Sequence, residues 1–362
     1  MARPLPFAAH RSLSRFRRSF LAGGILLMLA ALGTVEAKAQ AQAQAKLEQT
    51  DVAIVATRDT QVGVQLAIAD ALGYFKDEGL QVSPKWVQSG DDVVQLLGAG
   101  ATPMGCASTF GATLLAAQHI PIHAVQGLAD MAGTQGFVLA PKVKLASPKE
   151  LEGKKLAYTN GNPQILILAK LAKRYGFDMS KVSLVNMLPS EGVVAAEKGD
   201  VAGLLSFQPF LYRLTALGGS MYVTGRQSWI SGQQQDLAGS ERFLFLNAIL
   251  MAQDSWIKDK PNTVKAVMRA FDRATKLLAS DRPQAVEIIQ RGIKIDPAAI
   301  SAIMNVNVYN SAITPEMASS ISDLSEWALS IKRIPAAVKP TDIIDPTLLA
   351  SQDPALVMWR AP

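Results

Sequence analysis

The strongest constraint on this chain is a repeating beat: short apolar runs and amphipathic stretches, separated by polar loops. Val52-Ala53-Ile54-Val55-Ala56 is a continuous apolar run, the signature of a strand buried on both faces. A polar loop follows, Thr57-Arg58-Asp59-Thr60, and residues 61–72 then read as a helix stopped by Gly73. Leu80, Val82 and Trp86 alternate with Gln81, Ser83 and Lys85, giving a second strand. The unit recurs, with strands expected at 104–107, 122–126, 155–158, 182–187 and 201–205 and helices at 92–97, 110–118, 162–175 and 191–198. Ser147-Pro148-Lys149-Glu150 has the form of a capping box with proline at the first helical position. Such alternation predicts an α/β protein with mostly parallel sheets. About 320 residues of it exceed one doubly wound sheet, so two domains are expected. Beyond residue 254 the pattern turns mainly helical, with 261–279 amphipathic and expected to expose Lys265, Arg269 and Arg273.

Charge sorts differently from structure. The net charge of +6 invites a nucleic-acid or membrane-surface reading. However, residues 1–39 hold Arg3, Arg11, Arg15, Arg17, Arg18 and Lys38 against one acid, Glu36, a net of +5. The rest carries 30 basic and 29 acidic residues, a net of +1, and has no basic run with interleaved aromatics. Nucleic-acid binding therefore has no electrostatic footing. The basic segment precedes a short apolar run at 20–35 and an A-x-A site, Ala37-Lys38-Ala39, which together read as a secretory signal over residues 1–39, with an uncleaved anchor helix as the alternative. Arg17-Arg18-Ser19-Phe20-Leu21 fits the twin-arginine pattern, or equally a chance arginine pair in an ordinary leader. No cysteine follows the apolar run, so the expected product is periplasmic, exported and not lipidated.

Motifs for chemistry are sparse. Of three histidines, His10 lies in the leader, and Pro121 breaks the helical spacing of His119 and His123. The chain contains no H-E-x-x-H, no G-x-S-x-G, no Walker loop and no G-x-G-x-x-G after the first strand, so no cofactor or metal is implied. Ser255-Trp256-Ile257-Lys258 matches S-x-x-K, but the companion motifs are missing. The single cysteine, Cys106, excludes an intrachain disulfide and reads as a small buried hydrophobe. What remains are polar loops at the carboxyl ends of strands, where open α/β sheets bind ligands. Ser108-Thr109 and Asn160-Gly161-Asn162-Pro163 are the two best candidates, read either as anion-binding helix entrances or as simple caps.

Specific residues then carry a resemblance. Ile68-Ala69-Asp70-Ala71-Leu72-Gly73-Tyr74-Phe75-Lys76-Asp77-Glu78-Gly79-Leu80-Gln81-Val82 closely resembles the "A-x-x-x-G-Y-F-K-x-E-G-L-x-V" segment of ABC-transporter solute-binding proteins that handle sulfonates, taurine, nitrate and thiamine-pyrimidine precursors. Leu151-Glu152-Gly153-Lys154-Lys155-Leu156-Ala157 is similar to the family's "L-x-G-K-K-I-A". Gly199-Asp200-Val201-Ala202-Gly203 through Gln208-Pro209-Phe210 is similar to "G-x-V-D-A…E-P", with Gly203 and Gln208 departing from it, and 261–278 resembles "P-x-x-V-x-x-x-x-R-A-x-x-x-A".

The resemblance implies a two-lobed type II periplasmic binding protein, two doubly wound α/β lobes joined by a two-stranded hinge. Its lobe I would comprise 47–140 and 243–362, with the C-terminal helices, and lobe II 141–242. The crossings would fall near 140–143 and 242–246, with 136–139 and 243–246 as hinge strands. In lobe I the cleft-facing positions would be Thr57, Arg58, Asp59 and Gln61, then Ser89, then Ser108, Thr109 and Phe110. In lobe II they would be Thr159, Asn160, Asn162 and Gln164, then Ser206, Phe207 and Gln208. Arg58 pointed inward would pair with a sulfonate or carboxylate; pointed outward it is an ordinary loop arginine. The implied function is a monomeric binding component of an ABC importer. It would capture a small-molecule ligand, an alkanesulfonate or taurine-like anion ahead of nitrate or an aromatic carboxylate, and deliver it to a permease in the inner membrane. The alternative is an enzyme on the same fold, such as the pyrimidine-precursor synthases, which use a cysteine-rich segment that this chain lacks.

Overall fold

A strand of sequence DVAIVAT with both faces covered needs partners on either edge and helices above and below, and the chain supplies them in order. The structure is a computed structural model that describes residues 46–293 and 295–361; the expected leader and its twin-arginine pair lie outside the described residues. The first half runs β1 (Asp51–Thr57), α1 (Val64–Ala71), α2 (Tyr74–Asp77), β2 (Gln81–Val87), α3 (Gly90–Gly98), β3 (Met104–Ser108), α4 (Thr109–Ala117) and β4 (Ile122–Asp130). Next come β5 (Gln135–Leu139), β6 (Lys155–Tyr158), α5 (Ile165–Tyr175), β7 (Ser183–Asn186), α6 (Pro189–Lys198), β8 (Gly203–Phe207), α7 (Phe210–Ala216) and β9 (Ser220–Thr224). Two short strands, β10 (Gln227–Ser228) and β11 (Gln235–Asp236), precede β12 (Asn247–Gln253). The chain closes with α8 (Asp254–Asp259), α9 (Pro261–Ser280), α10 (Arg282–Gln290), α11 (Pro297–Val306), β13 (Val308–Tyr309), α12 (Pro315–Ser330) and α13 (Thr347–Gln352).

Two mixed sheets result. The first has order β13-β4-β12-β3-β1-β2, and the second β11-β10-β9-β5-β8-β6-β7. In each, the βαβ units are parallel and one strand from outside them is inserted antiparallel: β12 beside β3 and β4, and β5 beside β8 and β9. Each sheet with its helices is one lobe, and the chain leaves the first lobe once and returns once. From Leu47 onward both lobes belong to one compact unit. Phe137, Phe243 and Phe271 are among the largest side chains fully buried in the core, each contributing roughly 1.5–3 kcal/mol.

Four expectations need correction. The first crossing lies at residues 131–134, because β5 pairs with β8 and β9 and so belongs wholly to the second lobe. The hinge is not two strands: one crossing is the 3-10 turn Ala132–Thr134, and 243–246 forms no strand ladder, the two joined by Met131 N–H donating to Leu246 carbonyl at 2.8 Å. Ser147 makes no side-chain cap, and Pro148–Leu151 is a single 3-10 turn. On α9, Arg269 and Arg273 are half-buried rather than exposed, because they pair with Glu78 and Asp77 beside α2 at 2.5 and 2.8 Å.

Candidate functional site

Parallel strands in one sheet deliver all their carboxyl ends to the same edge, and here two sheets turn those edges toward each other. Residues following β1, β2, β3, β6 and β8 converge on one cavity of about 550 Å³. Lobe I contributes Thr57, Asp59, Ser89, Ser108 and Phe110; lobe II contributes Asn160, Asn162 and Phe207.

The loop after β1 folds around its own carboxylate. Asp59 Oδ1 accepts the backbone N–H groups of Gln61, Val62 and Gly63 at 2.8, 2.6 and 3.3 Å, and Oδ2 accepts the Thr57 hydroxyl at 2.6 Å. Three successive amides form a concave nest suited to an anion, and Asp59 fills it. Glycine is required at 63 because a Cβ there would stand 2.0 Å from the Thr57 carbonyl oxygen. Ser89 and Ser108 likewise turn inward on their own helices, capping Asp92 N–H at 3.2 Å and Gly111 N–H at 3.1 Å.

The lobe II loop is built the other way. Tyr158 donates its hydroxyl to the Asn162 carbonyl at 2.6 Å, Thr159 donates to the Met187 carbonyl at 2.8 Å, and Asn160 N–H donates to Asn186 Oδ1 at 3.0 Å. Burial pushes the Tyr158 phenol up to about 12, only partly offset by the backbone amides of Asn162 and Gly161. Among the described residues no bond ties down the side-chain amides of Asn160 and Asn162, which line the cavity.

Sequence reasoning missed much of the rest. The floor is apolar, with Val62, Val93, Val94 and Leu114 beside Cys106, whose thiol is pushed up by burial and so stays protonated. Asp91 and Gln88 also line the cavity, and Arg333 is the one cationic side chain among the described lining residues. Val93 and Val94 are adjacent apolar residues on α3, a signal that reads equally as core; Arg333, 225 positions beyond Ser108, gives no local signal.

The remaining expected site residues are elsewhere. Arg58 turns outward: its guanidinium lies over the Trp86 ring, 4.5 Å from the centroid, and a Cβ on Gly292 would meet its Cδ at 3.0 Å. Thr109 is fully buried, hydrogen-bonded to Ser320 Oγ at 2.6 Å and to Asn247 N–H at 3.2 Å. Gln61, Gln164 and Gln208 form a network behind the cavity rather than in it. Gln61 Nε2 donates across the lobes to the Gln208 carbonyl at 3.2 Å, its Oε1 accepts from Thr134 and Gln135, and Gln164 Nε2 donates to Gln135 Oε1 at 2.6 Å. Ser206 is buried within β8.

A larger hollow, about 920 Å³, lies beside the second crossing and is spanned by the Lys170–Asp323 ion pair at 2.5 Å. No strand ends open into it, so the smaller cavity is the candidate site. Among the described residues no group of three or more His, Cys, Asp or Glu side chains is placed to hold a metal ion, and His123 is paired with Asp254 at 2.6 Å at the far end of β4. No described helix is long and apolar enough to cross a membrane.

This architecture, two sheets facing a polar-rimmed cavity, defines the class of two-lobed periplasmic binding folds. Residues 61–285 match the family model described as NMT1/THI5 like, and the chain belongs to that family. It is 23% identical over 235 residues to 4-amino-5-hydroxymethyl-2-methylpyrimidine phosphate synthase of Aspergillus parasiticus, spanning 61% of this chain and 64% of that protein. It is 24% identical over 182 residues to the taurine-binding periplasmic protein of Escherichia coli K12, spanning 50% and 53%. Less than two thirds of either relative's length is therefore matched. The fold is that of the periplasmic aliphatic sulphonate binding protein SsuA from Escherichia coli, with a TM-score of 0.69, 15% identity and coverage of 87% of this chain and 97% of that one.

Proposed function

We propose that this protein is the monomeric, exported binding component of an ABC importer, and that it captures a small organic acid between its lobes for delivery to a membrane permease. The observation that carries the reading is the cavity itself: both lobes line it with hydroxyl, amide and guanidinium groups over an apolar floor. Among the described lining residues, Asp59, Ser89 and Ser108 are tied to backbone amides, the Thr57 hydroxyl donates to Asp59 within its own loop, and the one thiol is buried and protonated. Binding chemistry suffices for such a site. About 550 Å³ suits an acid with an apolar body, such as an alkane- or arenesulfonate or an aromatic carboxylate, better than taurine or nitrate, which would leave the floor uncovered.

Closure supplies the signal. A ligand that touches Ser108 and Phe110 on one side and Asn160, Asn162 and Phe207 on the other favours the state in which both sets reach it. The cross-lobe contacts Gln61–Gln208 and Lys170–Asp323 then add to a shape that a permease can distinguish.

The relationship to the Aspergillus synthase supports a second reading, an enzyme acting on a heteroaromatic substrate. A thermal-shift panel of alkanesulfonates, arenesulfonates, benzoates, taurine, nitrate and pyrimidines separates the two. A ligand at a hundred times its Kd adds about 2.7 kcal/mol and should raise the melting point by several degrees. Acids that stabilise the protein and are recovered unchanged support the binding component; consumption of a pyrimidine would replace it with the enzyme.

A further inference from the structure

We propose that Arg333 is the residue that reads the acid group of the ligand, and that Asp59 keeps that group away from the loop after β1. The inference rests on the binding-protein reading above and sets the ligand's orientation within it. An organic acid entering the cavity needs donors, and the nest of amides at 61–63 is already filled by the Asp59 carboxylate. An incoming acid there would meet a like charge on Asp59, and Asp91 adds a second carboxylate to the cavity lining. The only cation among the described lining residues is Arg333, and no acidic side chain pairs with it among the described residues.

The backbone holds Arg333 in place deliberately. Lys332 ends α12 in the left-handed conformation, φ +58°, with its N–H on the Leu329 carbonyl, while Arg333 N–H reaches the Ala328 carbonyl at 2.8 Å. This pair of bonds is the Schellman motif, whose left-handed position usually belongs to glycine. A lysine there costs about 1–2 kcal/mol of backbone strain, which the fold retains. Trp327 packs on Phe110, ring centroids 5.3 Å apart, and Ile334 is buried just beyond. Arg333 is thus an exposed guanidinium on a fixed pedestal, and Phe110 brings the pedestal to the cavity wall. Exposed in the free protein, an ion pair there would be weak. Lobe II closing with Asn160, Asn162 and Phe207 would exclude water and strengthen it.

Calorimetric titration of the full chain tests this with benzenesulfonate and benzoate, their neutral counterparts benzenesulfonamide and benzamide, and pentanesulfonate. Wild type is expected to bind the acids and discriminate against the amides. Arg333→Gln should lose about tenfold or more of the acid affinity and bring acid and amide together, while Arg333→Lys, a point charge without the fork, recovers part of it. Arg58→Gln should bind as wild type does. Melting temperatures of the free variants check that each folds. Acid affinity unchanged in Arg333→Gln, or lost in Arg58→Gln instead, overturns the assignment while leaving the binding protein intact. A wild-type protein that takes the amides but none of the acids overturns the organic-acid reading, and Arg333 falls with it.

Discussion

The two lobes present their cleft loops with opposite chemistry. In lobe I the loop after β1 has backbone donors in surplus, and an internal carboxylate, Asp59, consumes them. In lobe II the loop after β6 has backbone acceptors to satisfy, and Tyr158 and Thr159 hydroxyls donate to them. The first solution closes a ready-made anion site, whereas the second leaves the Asn160 and Asn162 amides at the cavity unspent. A strand end pointing at a cleft therefore does not by itself make a binding loop; what matters is which polar groups the loop has left over after satisfying its own backbone.

The sharpest way to break this contrast is to remove what carries lobe I's substitute for the closed nest. Trp327→Ala should destabilise the protein by about 3–5 kcal/mol, read by chemical denaturation. At permissive temperature it should also weaken acid binding through loss of the Phe110 contact that brings Arg333 to the wall. Full acid affinity in a folded Trp327→Ala protein would separate the α12 end from the site.

Lobe II's dependence on a neutral phenol shows in alkali. The Tyr158 pKa is raised in the fold from 10.0 to about 12, so its contribution is fully present below pH 10 and is lost as pH rises through 12. Burial also raises Tyr222 and Tyr309, so the comparison is between wild type and Tyr158→Phe. Denaturation curves at pH 9–12 should show wild type losing on the order of 2–3 kcal/mol more than the variant. Equal losses would mean that the loop does not depend on the hydroxyl's proton.

Asp59→Ala opens the nest. It should cost about 1–2 kcal/mol as a lost cap and, by freeing three amides, should raise the affinity for sulfate or benzenesulfonate, measured by titration. An affinity that stays the same would show that the nest collapses without its carboxylate, and that the contrast between the loops is one of stability alone.

Much of this was legible along the chain. The βαβ beat, the helix stop at Gly73, and Ser108 as a cap all appear in the structure, because strand burial, left-handed glycine and side-chain capping act over a few residues. The G-Y-F-K segment pointed to the family and its two-lobed fold. Eight expected site residues (Thr57, Asp59, Ser89, Ser108, Phe110, Asn160, Asn162 and Phe207) line the cavity, since each lies at or just beyond a strand end or helix entrance whose position the sheet topology fixes.

Direction and distance were another matter. Arg58 follows β1 and invites an inward reading, yet the flat face of Trp86 and the space above Gly292 hold it outside. Thr109 looked like a ligand hydroxyl and instead bonds to Ser320, 211 positions away. Gln61, Gln164 and Gln208 proved to be one interlobe network, and the first crossing moved to 131–134 because β5 found its hydrogen-bonding edge in the second sheet. The sequence alone determined which elements form and which loops arrive at strand ends, because those follow from local periodicity and backbone geometry. Only the tertiary structure decided which side chains face the cavity and that Arg333 supplies its cation, because packing partners hundreds of residues apart set the direction in which a side chain points.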